Sequence, residues 1–374
     1  MKVAAVILAA GLSSRMGELK PLLRLGDRNL LAHCRALFAA CGLTEILAVL
    51  GHRAEETAAA AEALGLRWVV NGEYRRGMFS SIQCGVAALP ADIDAFFVLP
   101  VDIPLVLPAT IEALLAAAGD HDAVLHPVFA GRRGHPPLIP AALIPPILAH
   151  DGTGGLKGLL TGHRGVAVPV WDEGVLLDAD SPEDLAALQH RLARITVPTR
   201  EEAEALAATM LSEAGLAHGR LVGRAAVALA KALNAGGYGL DVDLVYGAAL
   251  LHDVAKGQPQ HERRGAEILA ALGLGEMAAI VAVHNDAGLA AAAGFSATAR
   301  PGEQDIVWLA DKLFRGPHRV DIEARYADKL AAVGDDAAAR RGILDWRSRA
   351  LAVKAMVEQA AGRDLETILA AAGG

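Results

Sequence analysis

Histidines and aspartates in the second half of the chain have the types and spacing of a metal site. His252 and Asp253 are adjacent in an apolar stretch, and two ligands at one helix end can bind one cation or bridge two. Asp311 lies in another apolar stretch, where an unpaired carboxylate would be costly. Three further histidines complete the set: His218, His261 and His284. This mixture of imidazole and carboxylate ligands suits Fe, Mn, Co or Zn better than Mg alone.

A glycine-containing loop in the first half has the features of a phosphate site. The apolar run at residues 3–8 opens into LAAGLSSRMG at residues 8–17, and Lys20 follows three residues later. Backbone N–H groups of such a loop can approach phosphates, while Arg15 and Lys20 supply positive charge. The spacing fits neither the P-loop nor the three-glycine dinucleotide fingerprint, so the glycines alone leave an ordinary turn as the alternative.

Carboxylates with suitable placement occur at two later points of the same half. Asp102 comes just past an apolar run and shortly before a proline, which predicts a carboxylate at the carboxyl edge of a sheet. Asp180 is a candidate partner for it, with Asp178 as the alternative. The sequence after Asp180 is Ser-Pro-Glu, which is also a good helix cap, so capping stays open as its role.

The elements that must position these residues differ between the two halves. Short apolar runs at residues 3–8, 45–50, 67–70 and 95–99 alternate with helical stretches in the first half. Continuous apolar strands alternating with amphipathic helices predict an α/β domain with a mostly parallel, Rossmann-like sheet covered on both faces. In such folds a ligand binds at the carboxyl ends of the strands.

The second half reads as almost entirely helical. The change falls near residues 195–200, which predicts an α/β domain at 1–195 and an all-α domain at 200–374. The predicted helices are 200–214, 218–234, 243–255, 261–272, 275–284, 303–315 and 321–360.

Composition excludes several classes of protein. The 374 residues contain 35 Lys and Arg against 43 Asp and Glu, and the net charge of −8 gives no basic surplus for nucleic acid or anionic lipid. No apolar run is long enough for a membrane-spanning helix. The three cysteines form neither a disulfide set nor a metal pair, and together with the lack of a convincing signal peptide they predict a cytoplasmic protein.

The first-half motifs resemble the MobA-like nucleotidyltransferases, and especially the molybdenum cofactor cytidylyltransferases. In that family the loop reads LAAGxSxRMG and is followed by a lysine, as it is here. The resemblance continues in the family's order through residues 71–81, 99–104, 133–136 and 177–185.

This resemblance implies Mg²⁺-dependent cytidylyl transfer from CTP to molybdopterin or the molybdenum cofactor, with release of pyrophosphate and a molybdoenzyme or its chaperone as a partner. It implies Lys20, Arg15 and Asp102 as catalytic residues, Asp102 and Asp180 as the Mg²⁺ site, and His135 as an acceptor contact. The implied nucleotide contacts are Leu8, Ala9, Ala10, Gly11, Lys20, Asn71, Ser80 and Ser81.

Three positions bear on the choice of substrate. Ala9 and Ala10 replace the two glycines of guanylyl-transferring relatives, which favours CTP over GTP. Leu19 stands where sugar-nucleotide pyrophosphorylases carry proline before the lysine. Phe79 departs from the family's small residues, so a sugar phosphate, a polyol phosphate or another phosphorylated acceptor stays open.

The histidine and aspartate set is similar to that of the HD phosphohydrolase superfamily over residues 215–316. The resemblance implies a hydrolase with one or two transition metals, held by His218, His252, Asp253, His261, His284 and Asp311, with Asp253 also catalytic. Lys256, one turn after the doublet, is either a contact for a substrate phosphate or a solvated lysine at a helix end. The HD substrate is not implied, and a regulatory nucleotide-binding role for this domain is the alternative.

Overall fold

The computed structural model describes residues 1–12, 17–119, 123–284 and 300–370. Contacts divide the chain into two compact units, Met1–Ile195 and Thr196–Gly374. Arg15 lies outside the described residues, so its predicted role has no structural counterpart here. Among the described residues, no helix combines the length and apolar character that crossing a bilayer requires.

The first unit contains an eight-stranded, mostly parallel sheet. Its strands are β1 (Val3–Ala9), β4 (Glu45–Leu50), β5 (Arg67–Val70), β6 (Ala95–Pro100), β7 (Val124–Phe129), β8 (Arg132–Arg133), β9 (Leu138–Pro140) and β10 (Gly165–Pro169), while β2 (Arg24–Leu25) and β3 (Arg28–Asn29) form a separate hairpin. The order is β10-β7-β9-β6-β1-β4-β5, with β8 paired to β7. The four strands predicted from apolar runs are all present, which confirms the α/β fold.

Strand β1 lies at the middle of the parallel part, between β4 and β6. Ala4, Ala5, Val6 and Ile7 are completely buried, as expected for a strand covered on both faces. The short strand β9 is antiparallel to both β6 and β7. The sequence predicted a mostly parallel sheet without locating an antiparallel strand, so the position of β9 comes from the structure.

Seven helices cover this sheet in the described part of the first unit. They are α1 (Leu30–Ala40), α2 (Ala54–Ala63), α3 (Met78–Ala87), α4 (Pro108–Ala117), α5 (Ile144–Ala149), α6 (Gly155–Thr161) and α7 (Pro182–Ala193). Helix α3 packs very closely on the sheet at Gly85, where a Cβ atom would lie 2.5 Å from Val6 Cγ1. This close approach brings the beginning of α3 to the carboxyl edge of β1.

The second unit is helical. Its described helices are α8 (Arg200–Met210), α9 (Glu213–Ala235), α10 (Val242–Leu251), α11 (His261–Ala271), α12 (Gly275–Val281), α13 (Glu303–Lys312), α14 (Ile322–Ala332), α15 (Ala337–Ala361) and α16 (Leu365–Ala370). A two-residue hairpin, β11 (Phe314–Arg315) and β12 (His318–Arg319), follows α13. Helix α9 is central, since α8, α10, α13, α15 and α16 all contact it.

The single helix predicted over 321–360 is wrong, because the chain forms α14 and α15 there. Gly334 has a φ of +54°, a left-handed conformation that interrupts a helix. Asp336 then caps α15, its side chain accepting hydrogen bonds from the N–H groups of Ala338 and Ala339. Helix α9 also begins earlier than predicted, after the cap residue Ser212, so His218 lies inside it rather than at its start.

Two candidate active sites

Lys20 joins the two predicted carboxylates of the first unit. Its Nζ donates hydrogen bonds to Asp102 Oδ2 at 2.8 Å and to Asp180 Oδ1 at 2.5 Å. Partial burial alone would lower the pKa of Lys20, but these hydrogen bonds and charges outweigh burial and raise that pKa. Asp178 instead is exposed, so the structure brings Asp180 and not Asp178 to the lysine.

Backbone hydrogen bonds hold these three residues at the carboxyl edge of the sheet. Asp102 follows β6, and the N–H of the preceding Val101 donates to Leu8 O at 3.1 Å. The N–H of Ala179 donates to Asp102 O at 2.9 Å, which brings the segment carrying Asp180 alongside. Ser181 caps α7 through a capping box with Asp184, so the cap does not require the Asp180 side chain.

A cavity of about 440 Å³, which we call the loop cavity, opens beside these groups. Tyr74 and Arg75, which the sequence did not single out, also line it. Gly51 permits the close packing here, because a Cβ atom would lie 2.8 Å from both Ala10 O and Tyr74 Cβ. The predicted site residues that line the loop cavity are Leu8, Ala9, Ala10, Gly11, Lys20, Ser81, Asp102 and Asp180.

Asn71 and Ser80 are buried behind the loop cavity and are not among its lining residues. The Asn71 amide donates to Ser80 Oγ at 2.9 Å and to Ser81 Oγ at 3.0 Å. Ser80 Oγ in turn donates to Gly77 O at 2.8 Å. The two residues therefore hold the first turn of α3 in position, and only Ser81 faces the cavity.

A second cavity, of about 520 Å³, shares Leu8, Met78 and Pro100 with the loop cavity. We call it the His135 cavity. Its wall contains apolar side chains, including that of Phe79, and cationic or titratable groups. The latter are His126, Arg133, His135 and Lys157. The two cavities are therefore neighbours, with these three residues in the wall of both.

All six predicted ligands of the second unit come together in one group, which we call the HD cluster. Asp311 Oδ1 lies 3.5 Å from the Nε2 atoms of both His218 and His252. Asp253 Oδ1 lies 3.7 Å from His261 Nε2 and 3.8 Å from His284 Nε2. Two sets of ligand atoms, His218/His252/Asp253 and Asp253/His261/His284, each lie within 4.8 Å of one another. Asp253 belongs to both sets, which is the arrangement of a ligand that bridges two cations.

Backbone carbonyls orient three of these histidines. The Nδ1 atoms of His218, His252 and His284 lie 3.0, 2.7 and 2.6 Å from the carbonyl oxygens of residues 316, 249 and 281. A carbonyl only accepts, so each Nδ1 carries a proton and each Nε2 is the ring atom that faces the cluster. Burial lowers the pKa of His284 to about 4, which keeps its ring neutral near pH 7. The donor set thus fits metal ions.

Two cationic side chains contact the Asp311 oxygen that does not face the histidines. Lys312 Nζ donates to Asp311 Oδ2 at 3.1 Å, and Arg325 Nη2 lies 3.9 Å from the same oxygen. Burial alone would raise the pKa of Asp311. The charge of Lys312 and the hydrogen bonds from His218 and His252 outweigh burial and bring that pKa well below its usual range. Arg325 comes from α14, beyond the residues to which the sequence motif extends, so no local pattern could have indicated it.

Lys256 contacts the HD cluster through Asp253, because its Nζ donates to Asp253 Oδ2. The rest of the lysine is exposed, with 68% of its side-chain surface accessible. It is therefore an ion-pair partner of a proposed ligand that can also be reached from solvent.

Two family models match the chain in separate regions. Residues 5–168 match the model described as a MobA-like NTP transferase domain, and residues 215–316 match the model described as an HD domain. The chain joins a MobA-like NTP transferase domain to an HD domain. The first match includes the loop cavity up to Asp102, and the second includes the whole HD cluster; Asp180 and Arg325 lie beyond them.

Curated relatives match part of the transferase domain. The bifunctional protein GlmU of Mycolicibacterium gilvum is 36% identical over 128 residues, which is 32% of this chain and 25% of that protein. The bifunctional IPC transferase and DIPP synthase of Rubrobacter xylanophilus is 38% identical over 136 residues, 34% of this chain and 30% of that protein. The chain therefore spans less than a third of the length of either relative.

Solved structures match the same half. A nucleotidyl transferase from Methanothermobacter thermautotroptrophicus is 25% identical with a TM-score of 0.46, covering 52% of this chain and 99% of that one. Molybdopterin-guanine dinucleotide biosynthesis protein A from Archaeoglobus fulgidus is 15% identical with a TM-score of 0.41, covering 51% and 99%.

Proposed function

We propose that the transferase domain moves a cytidylyl group from CTP to a molybdopterin-type acceptor and that the HD domain is a metal-dependent phosphohydrolase. The observation that carries the first half of the proposal is the convergence of Lys20, Asp102 and Asp180 on the wall of the loop cavity. The HD cluster, with Asp253 common to two ligand sets, carries the second half.

The loop cavity supports nucleotide binding. Backbone N–H groups of residues 9–12 and the Lys20 ammonium are donors for phosphate oxygens. Asp102 and Asp180 both lie within hydrogen-bond distance of one lysine nitrogen, so their oxygens are close enough to share a hard cation. A Mg²⁺ ion held by them would supply charge neutralisation on the triphosphate.

The His135 cavity supports binding of the acceptor. Its apolar wall suits a ring system, while Arg133 and Lys157 suit a phosphate group. In the proposed reaction the acceptor's phosphate oxygen attacks the α-phosphorus of CTP, a new P–O bond forms, and the bond to the β-phosphate breaks to release pyrophosphate. Lys20 stabilises charge that develops on the phosphates during this displacement.

For the HD domain, the histidine Nε2 atoms and the carboxylates would hold two transition metals such as Fe, Mn, Co or Zn. Such a pair supplies an activated water and charge stabilisation for phosphoester cleavage. Asp253 belongs to both ligand sets and would therefore contribute to both metal positions. Lys256 can turn toward a substrate phosphate because most of its side chain is exposed.

The transferase proposal is tested by pyrophosphate release from CTP, Mg²⁺ and molybdopterin. We expect release by the wild-type chain and loss of it in Asp102→Ala. Asp178→Asn, at an exposed carboxylate close in sequence to Asp180, is the matched control and should retain release. Equal release from the wild type and Asp102→Ala would refute the proposal.

A different acceptor is the second candidate, and Phe79 favours it. This side chain lines the His135 cavity and packs edge-on against His150, with 5.3 Å between the ring centroids. The resemblance to molybdenum cofactor cytidylyltransferases implies small residues at this position. Trials with sugar phosphates and polyol phosphates, using the same pyrophosphate readout, distinguish the acceptors. Release with one of these and none with molybdopterin would replace the acceptor and keep the transfer reaction.

The HD proposal is tested by metal analysis together with hydrolysis of bis-p-nitrophenyl phosphate and of nucleotides. We expect bound metal and turnover that disappears on chelation. Stoichiometric metal without turnover of any phosphate ester would instead support a regulatory role for this domain.

A further inference from the structure

A pocket in the second unit is lined by four cationic side chains. Its volume is about 430 Å³, and we call it the basic pocket. It is lined by Arg200, Arg224, Lys231 and Arg363 together with apolar side chains such as Val227 and Ile368. Arg224, Lys231 and Arg363 are exposed, so an anion from solvent can reach them.

Three separate segments supply these cations. Arg200 begins α8, Arg224 and Lys231 lie two turns apart on α9, and Arg363 follows the end of α15. Helices α8, α15 and α16 all contact α9, which brings the segments together. The pocket therefore depends on tertiary structure and not on a run of basic sequence.

None of the residues that line the basic pocket, all of them in the described part of the chain, is acidic. Arg200 is fixed by stacking over the Tyr246 ring, with its guanidinium carbon 4.3 Å from the ring centroid. The neighbouring Glu204 carboxylate already accepts from Arg220 at 2.7–2.8 Å and from the Tyr246 hydroxyl. Clustered like charges repel, so an anion that bridged them would stabilise this arrangement.

The basic pocket uses a different face of α9 from the HD cluster. At 100° per residue, Arg224 and Lys231 project about 20° apart, and both point about 120° or more away from His218. His218 is buried, while Arg224 and Lys231 are exposed. The pocket is thus separate from the proposed metal ligands, although one helix carries both.

We propose that the basic pocket binds a small polyanion bearing at least two linked phosphates, of the size of inorganic triphosphate or a nucleoside polyphosphate. Arginines from different segments match the separate oxygens of such a chain, and the volume is that of a small-molecule site. The apolar side chains at Val227 and Ile368 provide contact area for an organic part of the ligand. This proposal does not depend on either activity proposed above.

Arginine modification tests the site on the unaltered full-length chain. The protein is treated with phenylglyoxal with and without inorganic triphosphate, and the labelled arginines are identified by mass spectrometry. We expect triphosphate to protect Arg200, Arg224 and Arg363. Arg341, an exposed arginine of α15 that does not line the pocket, should be labelled equally in both samples and serves as the internal control. If triphosphate changes the labelling of none of these four arginines, the proposal is overturned.

Calorimetric titration with triphosphate gives a second readout. We expect Arg224→Ser/Lys231→Ser to lose one class of binding site that Arg341→Ser retains, with both variants folded by circular dichroism. Identical stoichiometry and affinity in the two variants would refute the site.

Two further ligands are compared in the phenylglyoxal experiment. If sulfate at matched ionic strength protects the arginines as strongly as triphosphate does, the effect is charge screening and the site is refuted. Protection by a single-stranded oligonucleotide without protection by triphosphate would replace the small ligand with nucleic acid.

Discussion

At the scale of single residues, both candidate sites depend on carboxylates brought together by the fold. Asp102 and Asp180 are 78 positions apart in sequence and contact the same lysine nitrogen. Asp253 and Asp311 both contact His252 of the HD cluster, Asp253 at 3.6 Å and Asp311 at 3.5 Å. The sequence predicted Asp102, Asp253 and Asp311 from the apolar segments beside them, whereas Asp180 was a candidate from the family motif at residues 177–185.

Replacing Asp180 by Asn should slow nucleotidyl transfer on the order of 100-fold, because a charged contact to Lys20 and a proposed cation ligand is lost. Initial rates of pyrophosphate release measure the effect. Asp178→Asn changes an exposed carboxylate two residues away and should stay close to the wild-type rate. If both variants lose the same fraction of activity, Asp180 has no special role.

Replacing His261 by Ala should remove about one of two metal equivalents, since His261 belongs to only one of the two ligand sets. Metal content after gel filtration, measured by mass spectrometry, reports the loss. His318→Ala, at an exposed histidine of β12, is the matched control. Unchanged metal content in His261→Ala would mean that this histidine does not bind metal.

Residue roles that arise only from tertiary contacts could not be predicted from sequence. Arg325 reaches Asp311 from α14, and its spacing from the HD motif has no pattern. Asn71 and Ser80 stay predicted nucleotide contacts, and in the structure their side chains hydrogen-bond to each other and to the first turn of α3. A motif identifies a position, and only the packed structure shows whether its side chain faces the cavity.

At the scale of elements, the loop cavity depends on close packing between the loop after β1 and the segment before α3. Gly51 is the point of contact, with no space for a Cβ atom between Ala10 and Tyr74. The continuous apolar strands were predictable because burial on both faces leaves no alternation. Strand β9 was not predictable, because its three residues lie beside prolines and are too few to show a pattern. The helix break at Gly334 was also missed, because it is a single residue within a long helical pattern.

Gly51→Ala should destabilise the chain by about 1–3 kcal/mol and weaken CTP binding, because the new methyl group pushes Ala10 and Tyr74 apart. Thermal unfolding and calorimetric titration with CTP measure the two effects. Gly72→Ala, where a Cβ atom meets nothing within 4 Å, is the control and should match the wild type. Wild-type affinity in Gly51→Ala would show that the loop does not need this contact.

Three helices of the second unit meet at Glu204, which accepts from Arg220 of α9 and Tyr246 of α10. Burial alone would raise the pKa of Glu204, but hydrogen bonds from Arg220 and Tyr246 outweigh burial and lower that pKa below its usual value. A depressed folded pKa contributes stability that is present above the unfolded pKa of about 4.3 and is lost as pH falls through the folded value.

We therefore expect the difference in melting temperature between the wild type and Glu204→Gln to be large at pH 7 and to shrink as pH falls below about 5. Melting curves at a series of pH values measure it. Glu213→Gln, at an exposed glutamate with no bond to Arg220, should show a small difference at every pH. A constant difference for Glu204→Gln across this range would contradict the assigned ion pair.

At the scale of the whole molecule, the net charge of −8 hides strong local differences. The net charge gives no basic surplus for binding nucleic acid or anionic lipid, but it describes only the average surface and not individual pockets. The basic pocket gathers cations from three segments, which neither the total charge nor any local run of sequence indicates. The two-domain organisation was evident from the change in pattern near residue 195, since strands and helices differ in period.

In the proposed reaction the transferase domain forms a bond between the α-phosphorus of CTP and an acceptor phosphate. The most direct measurement follows the label of [α-³²P]CTP, with Mg²⁺ and molybdopterin, in the wild type, Asp102→Ala and Asp178→Asn. We expect a labelled dinucleotide product and unlabelled pyrophosphate from the wild type and Asp178→Asn, and no product from Asp102→Ala. Label that stays in CTP, or appears only as free CMP, in the presence of each of the acceptors named above would contradict it.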